Sequence, residues 1–123
     1  GLGVALDWMM DKGVANLAAH EADLGAYAAE RFKGLNWLHV QGHAPGKAPI
    51  FSFTIEGQAH AHDISTVLDK RGIAVRAGTH CALPLLKRYG CTATCRASFA
   101  LYNTKEEVDA LFEALLKAQD MFA

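Results

Sequence analysis

Apolar positions keep a helical spacing towards both ends of the chain and alternate along its middle, and these changes of period divide it into elements. Leu17, Leu24, Tyr27, Ala28 and Phe32 recur on one face of an alanine-rich stretch, which predicts a long helix stopping at Gly34. Val4 to Met10 predicts a shorter helix before it, ended near Gly13. Beyond Gly34, Trp37 to Gln41 and Ile50 to Ile55 are short β-prone runs separated by the turn-rich Q-G-H-A-P-G-K-A-P. In the second run Phe51, Phe53 and Ile55 point one way and Ser52 and Thr54 the other, so two strands paired as a hairpin are expected.

Asp63 is placed to cap a helix whose apolar stripe is Ile64, Val67 and Leu68, with Gly72 as a left-handed stop. Ile73 to Arg76 then predicts a third strand. From Cys95 to Tyr102, Cys95, Ala97, Phe99 and Leu101 alternate with Arg96, Ser98, Ala100 and Tyr102, which predicts a fourth. The last element carries the plainest signal: Thr104 and Glu107 form a T-x-x-E capping box ahead of Val108, Leu111, Phe112, Leu115, Leu116 and Phe122 on one helix face. With a short helix around Pro84, this order predicts an α/β (α+β) domain, a small sheet of about four strands with helices packed against it.

Composition narrows the class. One domain with one core is expected of 123 residues, and 51% hydrophobic with 20% charged residues is the make-up of an ordinary soluble globular protein. The formal net charge of -1 gives no footprint for nucleic acid, and nothing in the composition calls for a membrane. Three irregularly spaced cysteines without an apolar leader point away from a secreted disulfide framework and towards the reducing cytosol. Gly1 to Met10 opens in the middle of an apolar pattern, so the chain is expected to be part of a longer protein.

The candidate chemistry lies in Arg76-Ala77-Gly78-Thr79-His80-Cys81-Ala82-Leu83-Pro84, on a connection where reactive groups tend to be displayed. A nucleophilic thiol benefits from positive neighbours or a helix N-terminus, and Arg76, His80 and a helix begun near Pro84 supply both. Gly78 lets the loop bend. Against this stands the common fate of a lone cysteine, an inert buried thiol. Arg96, in an otherwise small and apolar C-R-A-S-F strand, needs an anionic partner, either a substrate carboxylate held in bidentate geometry or a core-facing Asp or Glu. Cys91 and Cys95 form only a C-x-x-x-C, weak evidence for zinc, and read as a loop thiol and a core thiol. His60-Ala61-His62-Asp63 reads as helix capping by Asp63 beside two solvated imidazoles rather than as a metal site.

The string R-A-G-T-H-C-A-L-P, followed by C-R-A-S-F-A-L-Y-N-T-K-E-E-V-D-A-L, resembles the C-terminal segment of group II, Suf-type cysteine desulfurases, a branch that includes selenocysteine lyases. H-A-H-D-I-S-T-V-L-D-K-R-G-I-A-V-R and A-A-H-E-A-D-L are similar to it as well, so the likeness covers nearly the whole chain. It implies the C-terminal small domain of a fold-type I pyridoxal-phosphate (PLP) enzyme, spanning 1–123, with 1–34 a mainly helical linker to a larger PLP-binding domain. It further implies that Cys81 is the persulfide-forming nucleophile, that Arg96 binds the substrate carboxylate, and that Arg76 and His80 shape the surroundings of the thiol. Thr79 departs from the family, many members of which have a second histidine there.

The family's S-x-H-K type lysine segment is absent: Lys12, Lys33, Lys47, Lys70, Lys87, Lys105 and Lys117 all lie in other surroundings. No cofactor-binding residue and no metal site are therefore assigned to this chain, and by itself it is expected to be inactive. The resemblance implies conversion of L-cysteine, or L-selenocysteine, to L-alanine with transfer of sulfur to Cys81. It also implies a SufE-like or SufU-like acceptor, iron-sulfur cluster assembly as the destination, and a homodimer of the full-length protein in the cytoplasm. Two rivals from other classes stay open: a free-standing persulfide carrier domain, and a regulatory or dimerisation module in which Cys81 is incidental.

Overall fold

Local signals account for where most elements begin and end. In the computed structural model, which describes residues 1–57 and 59–122, the chain runs α1 (Leu2–Lys12), α2 (Val14–Lys33), β1 (Leu38–Gln41), β2 (Ile50–Ile55), α3 (Ala61–Asp69), β3 (Arg76–Gly78), α4 (Leu83–Arg88), β4 (Thr94–Ser98) and α5 (Lys105–Phe122). The expected order of helices and strands holds. The strands form one sheet in the order β1-β2-β4-β3 with every neighbouring pair antiparallel.

Alternation along β2 and β4 divides the sheet into two unlike faces. Phe51, Phe53, Cys95 and Ala97 are buried on one face, where Phe51 pairs with Ala97 and Phe53 with Cys95. Leu24, Ala28 and Phe32 of α2, Ile64 and Leu68 of α3, and Val108, Leu111, Phe112 and Leu115 of α5 cover that face and complete a single core. The Phe32 ring sits 4.9 Å from Phe51 and 4.7 Å from Phe112, joining sheet to helices at the favoured aromatic spacing. On the other face a polar row crosses the sheet in register, from Gln41 through Ser52 and Arg96 to Arg76.

Several boundaries differ from those expected. The third strand begins at Arg76 rather than Ile73, because the Ile73 amide is committed to Leu68 O at 3.0 Å and that of Gly72 to Asp69 O at 2.9 Å. This is a Schellman closure of α3 with Gly72 at φ +77, as the left-handed stop predicted. The fourth strand starts one residue earlier, at Thr94, and stops at Ser98 instead of Tyr102. There the Phe99 amide makes a final bond to Pro49 O, and Asn103 closes a turn on Ala100 through its side chain at 2.8 Å and its amide at 2.9 Å.

The cap of α3 is His60 rather than Asp63: His60 Nδ1 accepts from the His62 amide at 3.3 Å, while Asp63 Oδ2 accepts from the His60 amide at 3.0 Å. Gly34 ends α2 in a right-handed conformation, φ -75. The capping box of α5 forms as expected, with the Glu107 amide 3.3 Å from Thr104 Oγ1 and the Thr104 amide 3.2 Å from Glu107 Oε2. Leu116 is exposed, and Ala114 and Ala118 take the inward positions on that helix. α1 buries no side chain at all, and Leu2, Val4, Leu6, Trp8, Met9 and Met10 are exposed along it.

Candidate active site on the open face of the sheet

The sequence following β3 folds into a tight turn because the Ala82 amide donates to Thr79 O at 2.9 Å. Its two central residues, His80 at φ +54 and Cys81 at φ +57, are both left-handed, a conformation usually left to glycine or asparagine. Each costs about 1–3 kcal/mol and persists only where the surroundings hold it. One such hold is visible: His80 Nε2 lies 2.9 Å from Thr94 Oγ1 and 3.1 Å from Thr94 O. A carbonyl oxygen only accepts, so Nε2 carries the proton, and in the neutral ring Nδ1 is left bare. Nδ1 is buried without a hydrogen-bond partner. With His80 drawn inward, Cys81 stands exposed. α4 starts two residues later, with Pro84 in its first turn as the sequence suggested.

Beside this turn the charges are of one sign. Arg76 and Arg96 are direct cross-strand partners, an arrangement that like charges disfavour. Among the described residues neither has a carboxylate within 4.0 Å, and Arg96 Nε is buried with no hydrogen-bond partner. The reading of Arg96 as half of a structural salt bridge therefore finds no support. His80 is held below its usual pKa of 6.5, chiefly by burial and further by the Arg96 and Arg76 guanidiniums, against an opposing hydrogen bond to Thr94. Two forks and an imidazole without an acid make a natural cradle for a carboxylate, and both forks suit bidentate binding.

The sequence brought Cys81, His80, Arg76 and Arg96 forward, and three of them meet: His80 feels the charge of both arginines. Cys81 adjoins them through the turn. Thr94 escaped notice, although it is almost wholly buried, at 1% exposure, and anchors the imidazole. Spacing puts it on the strand face of Arg96, but only the β3–β4 register brings it to His80. The other cysteines behave as read: Cys95 is buried, with Sγ donating to Ala61 O at 3.1 Å and its thiol pushed up from 9.0 to about 12 by burial, and Cys91 is a half-buried loop thiol 3.7 Å from Leu86 O.

A cavity of about 490 Å³ lies elsewhere, between the end of α2 and the β1–β2 hairpin. Lys47 on its wall is held below the usual lysine range by burial, but its Nζ donates to Gly42 O at 3.2 Å and lies over the Phe51 ring. Nothing there offers a nucleophile poised for reaction.

Residues 1–111 match the family model for aminotransferase class-V. The chain is 46% identical over 121 residues to a probable cysteine desulfurase of Xylella fastidiosa (strain Temecula1), covering 98% of this chain and 29% of that protein. It is 48% identical over 122 residues to a probable cysteine desulfurase of Halalkalibacterium halodurans, covering 99% and 30%. Among solved structures, the cysteine desulfurase CsdA from Escherichia coli, in an S-sulfonic acid form, superposes with a TM-score of 0.87 at 34% identity, over 97% of this chain and 29% of that one. The chain thus spans less than a third of the relatives it matches.

Proposed function

Because this chain belongs to the aminotransferase class-V family, we propose that it is the C-terminal, thiol-bearing part of a PLP-dependent cysteine desulfurase and that Cys81 receives the sulfur. One observation carries the reading: an exposed thiol sits on a left-handed turn beside two guanidiniums that have no acidic partner among the described residues. On this reading residues 1–34 connect to the rest of the enzyme, and the bare apolar surface of α1 is the kind of surface such a connection would cover.

PLP does not fit this chain. All seven lysines are exposed, Lys12, Lys33 and Lys105 are engaged with carboxylates, and Lys47 is bonded to a main-chain carbonyl. The electron sink that PLP supplies when bound belongs, on this proposal, to the remainder of the protein. What these residues contribute is orientation and the sulfur acceptor. Arg96, with Arg76 beside it, holds the substrate carboxylate so that the substrate sulfur faces the turn.

The Cys81 thiolate attacks that sulfur; a sulfur–sulfur bond forms as the carbon–sulfur bond breaks, and the electron pair leaves with carbon, which takes a proton to become L-alanine. Cys81 keeps the sulfur as a persulfide, and no external oxidant or reductant is consumed. The persulfide passes to a SufE-like or SufU-like acceptor and on to iron-sulfur cluster assembly, in a homodimeric cytoplasmic enzyme that takes L-cysteine or L-selenocysteine. No helix among the described residues is long and apolar enough to cross a membrane.

The test is Cys81→Ala in the whole enzyme. Alanine formation from cysteine should fall by more than about 10³-fold while binding of the amino acid persists, as expected when only the attacking group is removed. Alanine and persulfide production at the normal rate would refute the assignment.

A further inference from the structure

Resting on Cys81 as the sulfur acceptor, we propose that Thr94 is a positioning residue for that thiol, acting through His80. The turn that displays Cys81 has three successive unusual features: Gly78 at φ +133, then His80 and Cys81 both left-handed. Gly78 is itself paired with Thr94 across β3 and β4, so the strand ends there and the turn begins opposite the same residue. Nothing in the 79–82 backbone beyond the single Thr79–Ala82 hydrogen bond selects the left-handed form over an ordinary right-handed one.

The selection comes from outside the turn. Thr94 offers the imidazole two oxygens, the hydroxyl at 2.9 Å and the carbonyl at 3.1 Å, both converging on Nε2. Thr94 is 1% exposed and so cannot shift to follow a loop that wanders. Two adjacent left-handed residues send their side chains in different directions, so tying the first to the sheet turns the second outward. His80 is half-buried and Cys81 exposed, as this requires. A bulkier or apolar residue at position 94 would leave Nε2 with the carbonyl alone, and the turn free to relax.

The arrangement also fixes which imidazole nitrogen is bare. Nε2 is occupied by the Thr94 oxygens, so Nδ1 is the only ring atom that can accept a proton, and it is buried without a hydrogen-bond partner. Thr94 therefore sets the tautomer as well as the direction of the chain.

Thr94→Val keeps the shape and removes the hydroxyl; Thr94→Ser keeps the hydroxyl. In the whole enzyme, Val should lower kcat for persulfide formation by about three- to tenfold, as expected for one neutral hydrogen bond, with KM for cysteine unchanged. Ser should restore it. The rate at which iodoacetamide alkylates Cys81 in the resting enzyme should change in Val and return in Ser, a reading that does not depend on turnover. Long-range proton–nitrogen correlation on the unsubstituted protein should find His80 protonated at Nε2. Unchanged kcat and alkylation in Val, or a proton on Nδ1, would overturn the proposal. An active Cys81→Ala enzyme would instead overturn the function, leaving the alkylation and tautomer results to stand or fall separately.

Discussion

Cys81 and Cys95 carry the same thiol into opposite surroundings, one on the rim of the open sheet face and one beneath the helices. Cys95 belongs to the apolar core, with Phe53 across the strand pair, Ile64 and Leu68 of α3 in the same cluster, a single hydrogen bond from its thiol to Ala61 O, and that thiol held protonated towards about 12 by burial. Cys81 belongs to a region organised by polar contacts, where a threonine, a histidine and two arginines meet and backbone strain is retained. The difference teaches that cysteine chemistry in this molecule is set by which sheet face a residue serves. Apolar packing dominates the first region, whereas the second keeps strain and like charge, the features that motivate the functional proposal made for it.

The widest separation between the two should appear in chemical labelling. At pH 8 in the native protein, iodoacetamide should modify Cys81 more than about 10³-fold faster than Cys95, because reaching Cys95 requires opening the core. Peptide mapping by mass spectrometry reads both sites at once, and comparable rates would abolish the contrast. Next in size is the cost of truncation. Phe53→Ala, which empties the site against Cys95, should lower unfolding stability by about 3–5 kcal/mol. Cys81→Ala should change it by no more than about 0.5 kcal/mol, the usual range at exposed positions. Denaturant unfolding of the two variants gives the comparison, and a large loss from Cys81→Ala would mean that the turn carries the fold.

Acidity separates the regions further. The thiol of unfolded Cys95 ionises near its ordinary value of 9.0, and the folded one only near 12. Between those values the unfolded chain binds fewer protons, so stability falls as pH rises, by up to about 1.4 kcal/mol per unit. Cys95→Ala should flatten the stability profile above pH 9, and an unaltered slope would show that other groups govern it.

Much of the second region and nearly all of the first were legible in the chain. Alternation in I-F-S-F-T-I and C-R-A-S and the T-x-x-E box named the core strands and the last helix, because apolar periodicity and capping are local signals. The boundaries that moved were decided by partners distant in sequence or by competition for one amide: Ile73 bonds back to Leu68, and Phe99 reaches Pro49. At the site, residue type singled out Cys81, His80, Arg76 and Arg96. The left-handed turn and the Thr94 anchor were hidden, since a threonine in a strand is ordinary and its meeting with His80 depends on the β3–β4 register.

The smallest expected effect reverses the sign of the alkaline one. His80 is half-buried and held below 6.5, with the Arg76 and Arg96 guanidiniums facing it and a bare Nδ1 that has no partner. The unfolded histidine protonates first as pH falls, so the stability His80 contributes is fully present above pH 6.5 and is lost as pH drops through its folded value. The loss is modest because solvent screens the half-exposed ring. Between pH 7 and pH 5 the melting temperature should fall slightly more in the unsubstituted protein than in His80→Gln, which cannot titrate there. An equal or smaller fall in the unsubstituted protein would show that the imidazole is not held neutral against the two arginines, and the contrast between an acid-sensitive rim and an alkali-sensitive core would lose its rim half.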